Sequence, residues 1–90
     1  MIFIQVANED LDKATTSFET ALRYDARHYK AMFGLGSIAC RKEIYDQAEY
    51  YFKKAIGINP TSSILHCHLG MVLYKQVHLK IILMWQKKYS

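Results

Sequence analysis

Ninety residues, 51% of them apolar and 22% charged, describe a folding chain with a modest core rather than a disordered one. The net charge of +4 does not mark a basic face: residues 1–76 hold nine Lys/Arg against eight Asp/Glu, and the excess lies in Lys80, Lys87 and Lys88 of an acid-free tail. Nucleic acid is therefore not an expected partner. One proline, four glycines and no Asn-Gly or Asp-Gly pair leave few hairpin signals, so the expected fold class is all-α.

In chain order, the opening MIFIQVANED has no basic segment and too short an apolar stretch for an export signal. A helix is expected over about residues 10–24. The next runs from Tyr29 to Arg41 and turns back at RKEIYD, residues 41–46. A third covers 45–57; Pro60 cannot continue it and biases Asn59 out of the α region. Ser62 or Ser63 then caps a helix expected to reach about Gln76. The remaining VHLKIILMWQKKYS is shorter than the ~20 apolar residues a bilayer helix needs, and Lys80 interrupts it, so no membrane is expected. Cys40 and Cys67 lack CxxC spacing, which fits a reducing intracellular compartment.

The informative feature is a period. AEYYFKKAIGINP, residues 48–60, lies 34 residues after ATTSFETALRYDA, residues 14–26, so that Ala14 matches Ala48, Phe18 matches Phe52 and Ala21 matches Ala55. Leu69-Gly70 likewise lies 34 residues beyond Leu35-Gly36. Residues 29–62 supply Met32, Leu35-Gly36, Ala39, Ala48, Phe52, Ala55 and Pro60. Their order and spacing resemble the W-x2-L-G-x2-Y, A-x3-F and P pattern of tetratricopeptide repeats. The resemblance implies an α-solenoid fragment built of antiparallel helix pairs. Residues 1–28 would be a partial repeat holding only its second helix, 29–62 a complete repeat, 63–76 the first helix of a third, and 77–90 a divergent tail.

Each packing residue has a physical reason. Gly36 and Gly70 each cost ~1 kcal/mol in a helix interior relative to alanine, which is tolerated where a neighbouring helix approaches closely. Ala14, Ala21, Ala48 and Ala55 are small for the same reason. Phe18 and Phe52 fill the space where three helices meet, each burial worth ~1.5–3 kcal/mol. These residues are read as core and turn positions, not as a site.

A second resemblance is narrower. RHYKAMFGLGSI (27–38), AEYYFKKAIGINPTSS (48–63) and LHCHLG (65–70) occur in that order, with LDKA (11–14) ahead of them. This combination resembles the cell-division-cycle-twenty-seven family of tetratricopeptide scaffold subunits of the anaphase-promoting complex, over about residues 9–73. What it implies is a non-catalytic structural arm in a ubiquitin ligase of mitosis, present in nucleus and cytoplasm. Its expected partners are proteins: other complex subunits and coactivator tails. From Val77 onward the family pattern stops, because Ile82, Gln86 and Tyr89 stand where Ala, Phe and Ala belong. A truncated reading frame or a divergent helix would produce such an ending, and self-association through uncapped ends is expected. The alternatives are a generic tetratricopeptide adaptor or co-chaperone-like module, and a small helical metal or thiol protein.

Chemistry is not expected. His66 and His68 flank Cys67, but residues two apart on a helix point about 200° apart and cannot chelate one ion. His66 is instead read into the large-residue slot matching Met32. Cys67 lacks a positioned base, and Gly34-Leu35-Gly36 is not a phosphate loop. No catalytic residue, metal or cofactor is assigned. Glu49 and Lys53 are spaced for an i,i+4 ion pair on a solvated face.

A binding face is expected on the first helix of each pair, which lines the concave groove of such arrays. Lys30, Phe33, Ser37 and Cys40 are its candidates, with Ile64, Cys67, Met71 and Tyr74 one period on. Packing against an adjacent repeat is the competing reading of the same eight residues. The set does not resemble the carboxylate clamp of chaperone-tail receptors: Ser37 and Met71 replace its asparagines, Phe33 and Cys67 its lysine.

Overall fold

A computed structural model of the chain describes the backbone of residues 2–89 and the side chains of residues 10–89. Four helices account for nearly all of it: α1 (Ile2–Tyr24), α2 (Tyr29–Arg41), α3 (Tyr45–Ile58) and α4 (Ser63–Tyr89). Connections of three or four residues leave each helix no option but to run back along its predecessor, and the contacts are sequential: α1 with α2, α2 with α3, α3 with α4. The all-α solenoid arrangement of antiparallel helix pairs follows.

Local signals set the turns. After α1, Asp25 Oδ1 accepts from the Arg27 amide at 3.0 Å. His28 then caps α2, its Nδ1 accepting from the Ala31 amide at 3.1 Å. Between α2 and α3, the Glu43 amide donates to Cys40 O and the Ile44 amide to Ala39 O. Those two bonds make a Schellman motif, and they require Glu43 to adopt φ 60°. Asn59, ahead of Pro60, leaves the helical region at φ −127°, ψ 74° and closes α3. Ser62 Oγ accepts from the Leu65 amide at 3.3 Å and opens α4.

The core lies between α2, α3 and α4. Ala48, Phe52 and Ala55 are fully buried, with Met32, Leu35, Ala39, Leu65 and Val72 around them. Phe52 is the centre of that packing: its ring meets Phe33 at 5.8 Å and His68 at 5.7 Å between centroids, and Gly36 lies beneath it. One period earlier, Phe18 sits on Gly34 as Phe52 sits on His68, so the repeat is a structural one.

Four expectations need correction. The first helix begins at Ile2, not near residue 10. The last does not end near Gln76 but continues unbroken to Tyr89, about 40 Å at 1.5 Å per residue. The turn used after α2 needs a residue at positive φ, and the position matching Glu43 is Val77. A β-branched residue adopts that conformation only with strain, so the helix runs on through it. Because no helix folds back there, Gly70 is exposed, with no atom within 4 Å of where its Cβ would stand. His66 is exposed for the same reason and does not fill the slot of Met32; its Nε2 lies 2.8 Å from Pro60 O. Leu65, by contrast, is 2% exposed and packs with Met32 and Ala55.

Candidate protein-binding groove

A groove lies between α1 and α2 along the length of α2. Leu11, Ala14 and Phe18 of α1 form one wall; Lys30, Phe33, Gly34, Ser37, Ile38 and Arg41 of α2 form the other. Its volume is about 410 Å3. Gly34 makes this possible: a Cβ there would collide with the Phe18 ring, so α1 approaches α2 only because that position is glycine. The floor is apolar, Ser37 supplies a hydroxyl, and the two cations stand at the rims.

The eight candidates do not share one surface. Lys30, Phe33 and Ser37 line the groove. Phe33 also packs edge-on against His68 at 4.8 Å, tying the groove wall to α4. Cys40 is half-buried and belongs to the packing around Ala39, Ala48, Phe52 and Val72. Burial pushes its thiol up, with the Lys75 ammonium pulling the other way. Ile64, Cys67, Met71 and Tyr74 form an exposed stripe on α4. Tyr74 stacks on His78 at 5.9 Å.

Arg41, Leu11 and the groove-facing side of Phe18 were missed. Arg41 was within reach of the sequence, lying four residues beyond Ser37 on the same helical stripe. Leu11 and Phe18 were not, because only the tertiary approach of α1 brings them there.

A second cleft of about 380 Å3 lies where α4 extends past the α2–α3 turn, lined by Ile44, Tyr45, Leu79, Lys80 and Leu83 among others. Its inner end is tied shut: Gln76 Nε2 donates to Asp46 Oδ1 at 3.0 Å, and the Lys75 ammonium lies over the Tyr45 ring at 5.8 Å. Lys53 donates to Glu49 at 2.8 Å, the spaced pair the sequence indicates. That bond, with the Gln76 amide adding in the same direction, holds the Glu49 carboxyl below its usual range. Among the described residues no three His, Cys, Asp or Glu side chains are placed to hold a metal ion, and no helix is long and apolar enough to cross a membrane.

The family model described as tetratricopeptide repeat matches residues 4–63. The chain is 42% identical over 66 residues to the anaphase-promoting complex subunit 3 of Schizosaccharomyces pombe, which covers 73% of this chain and 10% of that protein. It is 39% identical over 64 residues to the cell division cycle protein 27 homolog of Caenorhabditis elegans, covering 71% and 8% respectively. With the cell division cycle protein 27 homolog B of Arabidopsis thaliana it shares 43% over 47 residues, 52% of this chain and 6% of the relative. The chain thus spans a tenth or less of the length of these relatives.

Proposed function

We propose that this chain, which belongs to the tetratricopeptide repeat family, is a protein–protein scaffold segment of an anaphase-promoting-complex subunit. What supports the reading most is the likeness to subunit 3 and a cell division cycle protein 27 homologue, 42% and 39% identity over 73% and 71% of the chain.

The mechanism is display, not chemistry. The α1–α2 groove has an apolar floor and cationic rims at Lys30 and Arg41. That suits an extended segment with apolar side chains and an acidic group or terminal carboxylate, supplied by another subunit or a coactivator tail. A stiff helical stack holds the groove open before binding, which keeps the ordering cost on the scaffold's side low. The segment carries no ubiquitin-transfer chemistry of its own and works in the nucleus and cytoplasm.

A chimera tests the assignment. The matching segment of the Schizosaccharomyces pombe subunit is replaced by that of this chain, and co-purification of the complex is measured. Retained assembly is expected, with loss when an unrelated tetratricopeptide segment of equal length is inserted. Equal assembly with both inserts would reduce this chain to a generic repeat.

A further inference from the structure

A small cavity of about 200 Å3 lies on the other side of the α1–α2 contact from the groove. Leu35, Ile38 and Ala39 of α2 make its apolar floor. Thr15 and Glu19 of α1 form one wall, Gln47 and Tyr51 of α3 the other. Ile38 lines the groove as well, so it separates the two spaces. The polar atoms on the walls are disposed to accept. Thr15 Oγ1 already gives its proton to Leu11 O at 2.8 Å, which leaves that oxygen acceptor capacity only. Glu19 is a carboxylate at the mouth, and among the described residues it has no ion-pair partner; Arg23, one turn on, does not reach it. The single cation on the lining, Lys42, is engaged elsewhere, its Nζ 3.3 Å from Asp12 Oδ1. The Tyr51 ring is half-buried and held edge-on against Tyr50, 5.2 Å between centroids.

We propose that this cavity is a second binding site, which takes one arginine side chain presented by a partner protein. Size sets the first limit: small-molecule pockets run to roughly 300–1,000 Å3, and this space has room for a single long side chain. Chemistry sets the second. A guanidinium has two weakly hydrated faces and a rim of donors. Its faces suit the floor of Leu35 and Ala39 and the ring of Tyr51, where a cation is also attracted by the aromatic quadrupole. Its rim meets the Glu19 carboxylate and the oxygens of Thr15 and Gln47, and a paired carboxylate–guanidinium contact is the strongest of these. A lysine ammonium has no flat face and keeps its water more firmly, so it fits less well. The site is separate from the groove and opposite to it in sign: the groove has cationic rims at Lys30 and Arg41, whereas the unpaired charge here is an acid. The two sides of the α1–α2 contact thus select partner segments of opposite charge.

Titration of the full chain with a short capped peptide, acetyl-Gly-Gly-Arg-Gly-Gly-amide, tests this by nuclear magnetic resonance. Saturable shifts are expected at Thr15, Ala39 and Tyr51 in the millimolar range, with the groove residue Phe33 unmoved. The same peptide with citrulline, which keeps the shape of arginine without its charge, should give no saturable shift, and the lysine peptide should bind more weakly. Glu19→Gln is an exposed substitution that leaves the packing alone; with helical circular dichroism equal to the parent's, it should weaken the arginine peptide by about tenfold, the loss of one charge-assisted hydrogen bond. Lys30→Glu, in the groove, should leave that affinity unchanged. Equal binding of the citrulline or lysine peptide overturns the proposal, as does undiminished binding by Glu19→Gln. Shifts centred on Phe33, or none that saturate, do so equally.

Discussion

The Phe52 ring comes within 2.7 Å of the point where a Cβ on Gly36 would stand. This one approach fixes how α2 and α3 cross, and it carries a consequence for both glycines of the repeat. Gly36→Ala forces a fully buried ring to move in a core without slack, at a cost of roughly 1–3 kcal/mol that outweighs the gain in helix propensity. Gly70→Ala meets no atom and should stabilise the dilute, monomeric chain by about 1 kcal/mol. Thermal unfolding of the two variants should therefore shift in opposite directions; shifts of the same sign would mean that the two positions share one environment.

Phe52→Ala removes the side chain on which Phe33 and His68 both rest. A loss of about 3–5 kcal/mol is expected, as for other large aromatic truncations in cores, and most helical circular dichroism should vanish at 37 °C. Phe18→Ala, at a half-buried position, should cost clearly less than Phe52→Ala. Denaturant melts of the pair measure the difference.

Glu43 occupies the left-handed region at φ 60°, where only glycine is free of Cβ strain. Glu43→Gly should raise stability by about 0.5–1 kcal/mol after the larger entropy of unfolded glycine is allowed for. An unchanged or lower melting temperature would mean that the glutamate side chain contributes more at the turn than its backbone strain costs.

The two thiols should separate kinetically. Cys67 is exposed, whereas Cys40 is half-buried with its thiol pushed up by burial. A thiol raised in this way holds less thiolate at any given pH, and the thiolate is the nucleophile. Alkylation of the folded chain should modify Cys67 first, and the Cys40 rate should keep rising to more alkaline pH than for an unhindered thiol. Mass spectrometry of timed samples distinguishes the sites, and equal rates would place Cys40 at the surface.

Some of this was legible in the residues. The period of 34 locates Phe52, Ala48 and Ala55, because small and aromatic positions recur only if helices recur against one another. Pro60 and Ser62 mark a helix end and start through local chemistry that needs no tertiary context. The cap on α2 was not legible, since histidine is a minor capping residue and Arg27-His28-Tyr29 reads as surface. Nor was the length of α4: the expected end near Gln76 would need a turn like the one at Glu43, and Val77, at the matching position, takes that backbone angle only with strain. Gly70 and His66 were misread in consequence, their assigned neighbour being the helix that never turns back. In the groove, Lys30, Phe33 and Ser37 follow from helical spacing on α2. The wall supplied by Leu11 and Phe18 depends on Gly34 admitting α1, a contact between elements that periodicity alone does not specify.

The claim that this chain acts by displaying the α1–α2 groove is tested most directly in the chimeric subunit, by closing that groove without disturbing the stack. Lys30 is exposed and Ser37 half-buried on its wall, so Lys30→Glu with Ser37→Arg should put an acid in place of the cation at one rim and fill the floor while leaving the stability within about 0.5 kcal/mol of the parent's. The measurement is the amount of partner subunit and coactivator retained on the purified chimera. The account predicts a loss of at least one of them with the helical fold intact; full retention of every partner by the doubly substituted, folded chimera would contradict it.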